Sequence, residues 1–190
     1  MAAEDSLRGQ FLLAMPGLTG GYFGNSLIYL CEHNPDGAMG LVVNRPGDLT
    51  LGNLFAQLNI TTDAPARREP VLEGGPVASE RGFILHGDDH TLAASLPVGD
   101  GLMLTAALEM LEAIAAGTGP AQFLIALGYA GWGAGQLEQE LKDNAWLNCR
   151  VEPVVCRSIL FDTPFETRIH RAAEALGIDF RLMTGQIGHA

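Results

Sequence analysis

Apolar positions in the first fifty residues fall into three short runs separated by turn-forming residues. The runs cover Gly9–Met15, Ser26–Glu32 and Ala38–Asn44. The segment His33–Gly37, between the second and third runs, contains Asn-Pro-Asp-Gly, which is typical of tight turns. β-branched residues in the third run favour extended backbone. The pattern therefore predicts one strand followed by an antiparallel hairpin.

Helical spacing appears next, after Thr50. Four apolar residues follow it at the i, i+3, i+4, i+7 positions, so we expect a short helix with Thr50 as its N-cap. Further short apolar runs, each bounded by glycine, proline or polar residues, predict four strands. These are Pro70–Glu73, Gly82–His86, Leu92–Leu96 and Leu102–Leu104.

The second half of the chain alternates helical and extended patterns. We first expect a helix over Ala106–Ala116, capped by Thr105 and with Leu108, Leu111 and Ala115 on its apolar face. A buried strand over Gln122–Leu127, a helix over Gln136–Asn144 and strands within Val151–Phe161 should follow. The last element is a helix that begins at the capping pattern Thr163-Pro164-Phe165-Glu166 and ends at Leu176. Clustered strands with helices between them are typical of α+β proteins. No repeat or long linker divides the sequence, so we expect one domain over residues 1–190.

Charge and cysteine content narrow the classes of function. The chain has 11 basic and 22 acidic residues and a net charge of −11 at pH 7, whereas DNA-binding surfaces rely on clustered lysine and arginine. Direct DNA binding is therefore not expected. Three cysteines without CxxC spacing predict neither a disulfide framework nor a zinc site. The acidic N-terminus and the lack of a membrane-length apolar run predict a cytoplasmic protein without a membrane span.

The glycine-rich segment Gly128–Gly135 is the first candidate for binding. Read as a turn before a helix, it would present backbone N–H groups to an anionic or polar ligand. The alternative is a tight turn in which Trp132 packs as a plug. The segment has neither the glycine order of a dinucleotide fingerprint nor the Lys-Ser/Thr of a P-loop, so no cofactor is implied.

Two further turns carry arginine. Gly74 and Gly75 precede Arg81, whose guanidinium could hold a carboxylate or phosphate, or could form an ordinary ion pair with Glu80. The segment Asn44-Arg45-Pro46 offers the same chemistry, or simply ends a strand before proline. The candidate ligand-binding residues are therefore Asn44, Arg45, Gly74, Gly75, Arg81, Gly131, Trp132 and Gly133.

Catalytic and metal-binding interpretations depend on two other clusters. Cys31 and His33 would share one face of a regular strand and could form a thiolate–base pair, although Cys31 could equally be a core residue. The segment His86–His90 contains two histidines and two aspartates. It could hold a divalent ion together with ligands from elsewhere, or form a solvated acidic turn.

Several blocks, in order along the chain, resemble the AlgH/YqgE-type family of bacterial proteins. They are Phe11–Pro16, Glu32–Pro46 with its EHN…GAMGLVVNRP pattern, Gly74–Val77 with Arg81–His86, Leu127–Trp132 with Gly135–Glu140 and Asp143–Leu147, and Gly188–Ala190. Gly20–Gly24 departs from the family, in which many members have a more polar D-P-x-F segment. The resemblance implies a bent, bifurcated, mostly antiparallel sheet that forms a pseudo-barrel flanked by helices. It implies no established activity and no catalytic set, although members are often labelled transcriptional regulators.

Residues and resemblance together predict a non-catalytic cytoplasmic protein that regulates transcription indirectly, through a small anionic ligand or a protein partner. The alternative is a hydrolase or transferase acting on a phosphorylated or carboxylated metabolite. In that case Arg81 or Arg45 would hold the substrate, and Cys31, His33 or His86 would supply the chemistry. The oligomeric state stays open.

Overall fold

The computed structural model describes residues 5–16, 21–63 and 67–179, which contain ten strands and five α-helices. The strands are β1 Phe11–Ala14, β2 Leu27–Asn34, β3 Gly37–Val42, β4 Pro46–Thr50, β5 Pro70–Glu73, β6 Val77–Gly87, β7 Leu96–Gly99, β8 Leu102–Thr105, β9 Phe123–Gly133 and β10 Trp146–Cys149. The helices are α1 Leu51–Gln57, α2 Leu108–Ala115, α3 Gln136–Lys142, α4 Pro153–Arg157 and α5 Arg168–Ala175. Gly20 and the block Gly188–Ala190, both named above, lie outside the described residues.

The sheet runs in the order β10-β1-β2-β3-β9-β6-β8-β7 and forks at β9. One side of β9 pairs with β6, whereas its other side pairs first with β5, in parallel, and then with β3. The other pairings are antiparallel. The sheet curls into a half-barrel, and the Tyr29 hydroxyl of β2 donates to the carbonyl of Val98 in β7 at 3.4 Å. The predicted bent, bifurcated, mostly antiparallel sheet is confirmed.

Three hydrophobic clusters stabilise this sheet, and β9 contributes to all of them. The inner cluster fills the half-barrel and includes Ala126 together with residues of α5. A second cluster joins Ala130 to α3, and a third joins Ile125 to α1 and α2. Helices α1, α2, α3 and α5 therefore pack in clusters that share strand β9. None of the helices in the described ranges is long and apolar enough to cross a membrane.

Local signals in the sequence set several element boundaries. The β2–β3 hairpin turns at Asn34–Gly37 as predicted. The Thr50 hydroxyl accepts a hydrogen bond from the Asn53 amide at 3.2 Å, which caps α1. Gly177 follows α5 at a φ of +74°, a conformation that glycine adopts without strain. These three predictions are confirmed.

The predicted glycine turn at Gly128–Gly133 is wrong, because these residues continue strand β9. Gly131 and Gly133 alternate with Trp132 as the two faces of a strand require, whereas Gly128 takes a φ of +77° where the pairing of β9 with β6 is irregular. Gly135 alone of this segment, at a φ of +74°, takes the N-cap position of a helix, α3.

The predicted strands in Val151–Phe161 are also wrong. Pro153 stands in the first turn of a helix, α4, which continues into a π-helical turn over Ser158–Asp162. Ile159 and Leu160 are fully buried in the inner cluster. Packing against the half-barrel has therefore overridden the β-propensity of this valine-rich stretch.

Two predicted helix caps are not formed. The Thr163 hydroxyl donates to the Ser158 carbonyl at 2.8 Å and accepts from Arg171, and α5 begins later, at Arg168. Thr105 is bonded to other side chains, so α2 begins after Ala107 without a side-chain cap.

Two assignments around α2 are corrected as well. Leu108 is 48% exposed, and Met110 and Ile114 face the core together with Ala115. The helix starts two residues later than predicted, and Leu111 is partly buried against the same cluster. The strand predicted at Leu92–Leu96 begins only at Leu96, as β7.

Candidate functional site

A groove opens on the inner face of the half-barrel and encloses a cavity of about 780 Å³. Side chains from six strands line it; they include Glu32, Met39, Arg81, Phe83, Leu96 and Tyr129. Met39, Phe83 and Tyr129 also pack in the inner hydrophobic cluster. This surface, called the central groove below, is therefore a place where the core of the half-barrel reaches solvent.

The floor of the central groove is aromatic. Phe83 and Tyr129 lie edge to face, with ring centroids 5.7 Å apart. The Arg81 guanidinium lies 5.2 Å from the centroid of the Phe83 ring, within the range of a cation–π contact. A Cβ atom at Gly131 would lie 3.3 Å from the Tyr129 ring. The missing side chain at Gly131 therefore keeps the floor open.

The rim of the central groove combines apolar and acidic residues. Leu96 is 62% exposed and Val77 is 39% exposed. Glu32 and Asp36 line the groove from β2 and the hairpin turn. Within the described ranges, no carboxylate lies within ion-pair distance of Arg81, including the predicted alternative partner Glu80. The groove thus offers apolar surface, two acids and one unpaired cation.

Of the eight predicted binding residues, Arg81, Gly131 and Trp132 lie together at this groove. The Trp132 side chain is mostly buried, and its indole N–H donates to the Glu140 carboxylate at 3.3 Å. Gly133 follows in β9, and its amide donates to the Gln136 side chain at 2.9 Å. The groove residues that the sequence did not predict include Phe83, Tyr129 and Leu96.

Asn44 and Arg45 lie elsewhere, at a separate cavity of about 470 Å³. The Asn44 side chain accepts from the Leu27 amide and donates to the Asn25 carbonyl, both at 2.9 Å. The Arg45 guanidinium donates to the Tyr22 carbonyl at 2.8 Å and lies over the Tyr22 ring. Both side chains therefore hold neighbouring backbone, and the structure does not bring them together with Arg81.

Gly74 and Gly75 form the crossing of the β5–β6 connection over β9. The Gly74 amide donates to the Leu127 carbonyl at 2.8 Å. A side chain at Gly74 would overlap the Gly128 carbonyl, and one at Gly75 would overlap the backbone of Tyr129. Close packing between backbones accounts for glycine at both positions.

The predicted Cys31–His33 pair is not formed. A β-bulge at Cys31 shifts the register of β2, so the two side chains do not share a face as they would in a regular strand. Cys31 is buried in the inner cluster, and burial raises the pKa of its thiol. The His33 ring accepts from the Leu7 amide at 2.9 Å through Nδ1 and donates through Nε2 to Glu138 at 2.6 Å. That second hydrogen bond is the main reason why the pKa of Glu138 is lowered.

The histidine–aspartate loop is likewise held by internal bonds. His86 is fully buried, and its ring donates to the Gly87 carbonyl at 2.7 Å and accepts from the Thr105 hydroxyl at 2.8 Å. Burial lowers the pKa of His86. The Asp89 carboxylate accepts from the Ala121 amide. Across the part of the chain that the structure describes, no three such side chains converge as metal ligands would.

Comparison with known proteins agrees with this fold. The family model described as AlgH-like (DUF179) matches residues 11–181. A UPF0301 protein of Thioalkalivibrio sulfidiphilus is 47% identical over 190 residues, covering all of both chains. A UPF0301 protein of Pseudomonas putida is 48% identical over 190 residues, covering 99% of this chain and 98% of its own.

Two solved structures share the fold. The solution structure of the AlgH protein from Pseudomonas aeruginosa has a TM-score of 0.79 at 44% identity, covering 100% of this chain and 99% of its own. A crystal structure from Corynebacterium diphtheriae has a TM-score of 0.71 at 16% identity, covering 97% of this chain and 94% of its own. The second likeness concerns the fold alone.

Proposed function

The chain belongs to the AlgH-like family, and from that premise we propose that it is a non-catalytic regulatory protein. It binds a protein partner through the central groove and affects transcription without contacting DNA itself. The observation that carries the proposal is the groove, where an aromatic floor and an apolar rim are open to solvent beside Arg81, which has no ion-pair partner among the described residues. The regulatory part extends what the family resemblance implies.

The apolar surface of the groove supports a protein partner. Exposed apolar residues that adjoin one another commonly mark interaction surfaces, and aromatic pockets hold the anchor residues of a partner. Leu96 and Val77 provide exposed rim contacts, and the Phe83–Tyr129 pair provides a floor on which an inserted side chain would pack.

Charge indicates what such a partner carries. Glu32 and Asp36 line the groove, and the whole chain has a net charge of −11. Complementary charge speeds encounter and excludes wrong partners. We therefore expect a segment with lysine or arginine next to an apolar anchor, and Arg81 would bind a carbonyl or carboxylate of that segment.

The contacts of the predicted catalytic groups support a non-catalytic role. A thiol nucleophile must be accessible and ionised, whereas Cys31 is buried with a raised pKa. A general base needs a free nitrogen within reach of substrate, whereas both ring nitrogens of His33 and of His86 hold hydrogen bonds.

Site-specific photo-crosslinking in living cells tests the groove. A photoreactive amino acid replaces Leu96 on the groove rim or, as a control, Val154, which is 80% exposed on α4. We expect a discrete adduct from position 96 that is absent from position 154. The crosslinked protein is then identified, purified and titrated against the unmodified chain.

Groove variants make the binding measurement decisive. Gly131→Val fills the floor of the groove, and Leu96→Asp places a charge on its rim. Each variant should lower the affinity for the identified partner about tenfold or more. Gly82→Ala is the control, because the nearest side-chain atom to a Cβ there is 3.9 Å away. Unchanged affinity in both groove variants would refute the groove as the interface. Tight sequence-specific DNA binding by the pure protein at physiological salt would refute the indirect part.

A further inference from the structure

A second cavity of about 560 Å³ shares no lining residue with the central groove, although Phe165 lines both this cavity and the one at Asn44 and Arg45. It is formed by β5, the start of β9 and the segment between α4 and α5. Most of its wall is apolar and includes Leu51, Val71, Leu124, Phe161 and Phe165. Arg168, in the first turn of α5, lines the same cavity.

Arg168 is a buried cation, with only 5% of its surface exposed. Its Nε donates to the Thr163 carbonyl at 2.8 Å, and its Nη1 donates to the Val43 carbonyl at 2.6 Å. The guanidinium lies 4.3 Å from the centroid of the Phe165 ring. These contacts fix the plane and the position of the guanidinium in the wall of the cavity.

No carboxylate compensates this charge in the described ranges, where the ion pairs are His33–Glu138 and Arg67–Glu69. A guanidinium has five N–H donors, and the two carbonyls take one each. The Nη2 group holds no hydrogen bond to a described residue, and Arg168 lines the cavity. Burial lowers the pKa of Arg168 to about 10, so the side chain keeps its charge at neutral pH.

Other charged residues at this cavity do not replace the missing partner. Arg67 forms a two-point ion pair with Glu69, with N–O distances of 2.8 and 3.1 Å, so that pair is neutral. Asp162 lines the cavity but is exposed to solvent. The inner wall therefore presents one buried positive charge in apolar surroundings. Such a charge is costly unless an anion joins it.

We propose that this cavity binds a small organic carboxylate, with the carboxylate on the free donors of Arg168 and an apolar body against the phenylalanine and leucine side chains. A planar carboxylate matches the fork of a guanidinium. The apolar lining favours a monoanion with a hydrocarbon tail over a compact, strongly hydrated phosphate dianion. The site is separate from the central groove and does not depend on the partner proposed there.

Isothermal titration of the full chain with octanoate tests the proposal. Octan-1-ol is the matched probe, because it keeps the apolar tail and removes the charge. We expect octanoate to bind at least about tenfold more tightly than octan-1-ol. Inorganic phosphate should produce no measurable binding. Equal affinity for the acid and the alcohol, no binding of octanoate, or tighter binding of phosphate would each overturn the proposal.

Four variants test whether octanoate binds in this cavity. Arg168→Met should remove the preference for the acid, whereas Arg150→Met, at an exposed arginine outside the cavity, should keep it. Ala121→Phe narrows the cavity at an exposed rim position and leaves Arg168 unchanged. It should lower the affinity for octanoate, and it tests the site even if Arg168→Met fails to fold. Gly131→Val, in the central groove, should leave octanoate binding unchanged. Octanoate affinity that is lost in Gly131→Val but kept in Ala121→Phe would refute this site.

Discussion

Replacing Gly75 by alanine tests whether the crossing of the β5–β6 connection over β9 is a structural requirement. At Gly75, φ is +157°, and a Cβ would overlap the carbonyl group of Tyr129 and the amide nitrogen of Ala130. These are backbone atoms of a central strand, so they cannot move aside as a flexible side chain can. Alanine must therefore push the connection away from β9.

The expected cost follows from the contacts that would separate. Overpacking costs about 1–3 kcal/mol. The hydrogen bonds from the Gly74 amide to Leu127 and from the Val42 amide to Gly74, at 2.8 and 2.9 Å, would lengthen, at about 1 kcal/mol each. We expect Gly75→Ala to lower the free energy of unfolding by about 3–5 kcal/mol, a large share of the roughly 5–15 kcal/mol of a typical domain.

Urea denaturation followed by tryptophan fluorescence measures this loss, and two other glycines separate its causes. Gly117 also has a positive φ, of +77°, but no atom lies within 4 Å of a Cβ there, so Gly117→Ala should cost only about 1–2 kcal/mol of backbone strain. Gly82→Ala should change stability by less than about 0.5 kcal/mol. A loss in Gly75→Ala no larger than that in Gly117→Ala would refute the steric reasoning.

Two further predictions concern titratable groups. Burial lowers the pKa of His86, so below about pH 6.5 the unfolded chain binds a proton that the folded chain does not. The free energy of unfolding therefore decreases as the pH is lowered, by up to about 1.4 kcal/mol per pH unit. Urea midpoints measured from about pH 7.5 to 5.5 should depend less steeply on pH in His86→Gln than in the unmodified chain. All three cysteines, Cys31, Cys149 and Cys156, are buried, and burial raises the pKa of the Cys156 thiol to about 12. Ellman's reagent should therefore label these thiols only at the rate at which the protein unfolds. Rapid labelling of Cys31 in the native protein would contradict that expectation.

Sequence predicted the fold best where the cause of an element is local. The Asn34–Gly37 turn, the Thr50 cap and the Gly177 stop each depend on the chemistry of a few neighbouring residues. The segment Val151–Phe161 shows the limit of this approach. Its β-branched residues favour a strand, but burial of Ile159 and Leu160 against distant strands determines a helix.

The candidate site could be predicted only in part. Arg81 and Gly131 were found because a cation and a glycine are visible in the sequence, and both lie at the central groove. The floor was missed, because Phe83 and Tyr129 meet only through the pairing of β6 with β9. In the sequence, Arg168 cannot be distinguished from an ordinary exposed helix arginine, because its carbonyl partners and the cavity exist only in the folded chain.

The position of β9 in the chain bears on how the protein is made. This strand, Phe123–Gly133, is the common wall of three hydrophobic clusters and pairs with strands as early as Gly37–Val42. Eight strands therefore leave the ribosome before the one that joins them, and none of the three cores can close until β9 has emerged. Nascent chains shorter than this point leave apolar surface uncovered, and such surface makes a chain prone to aggregation.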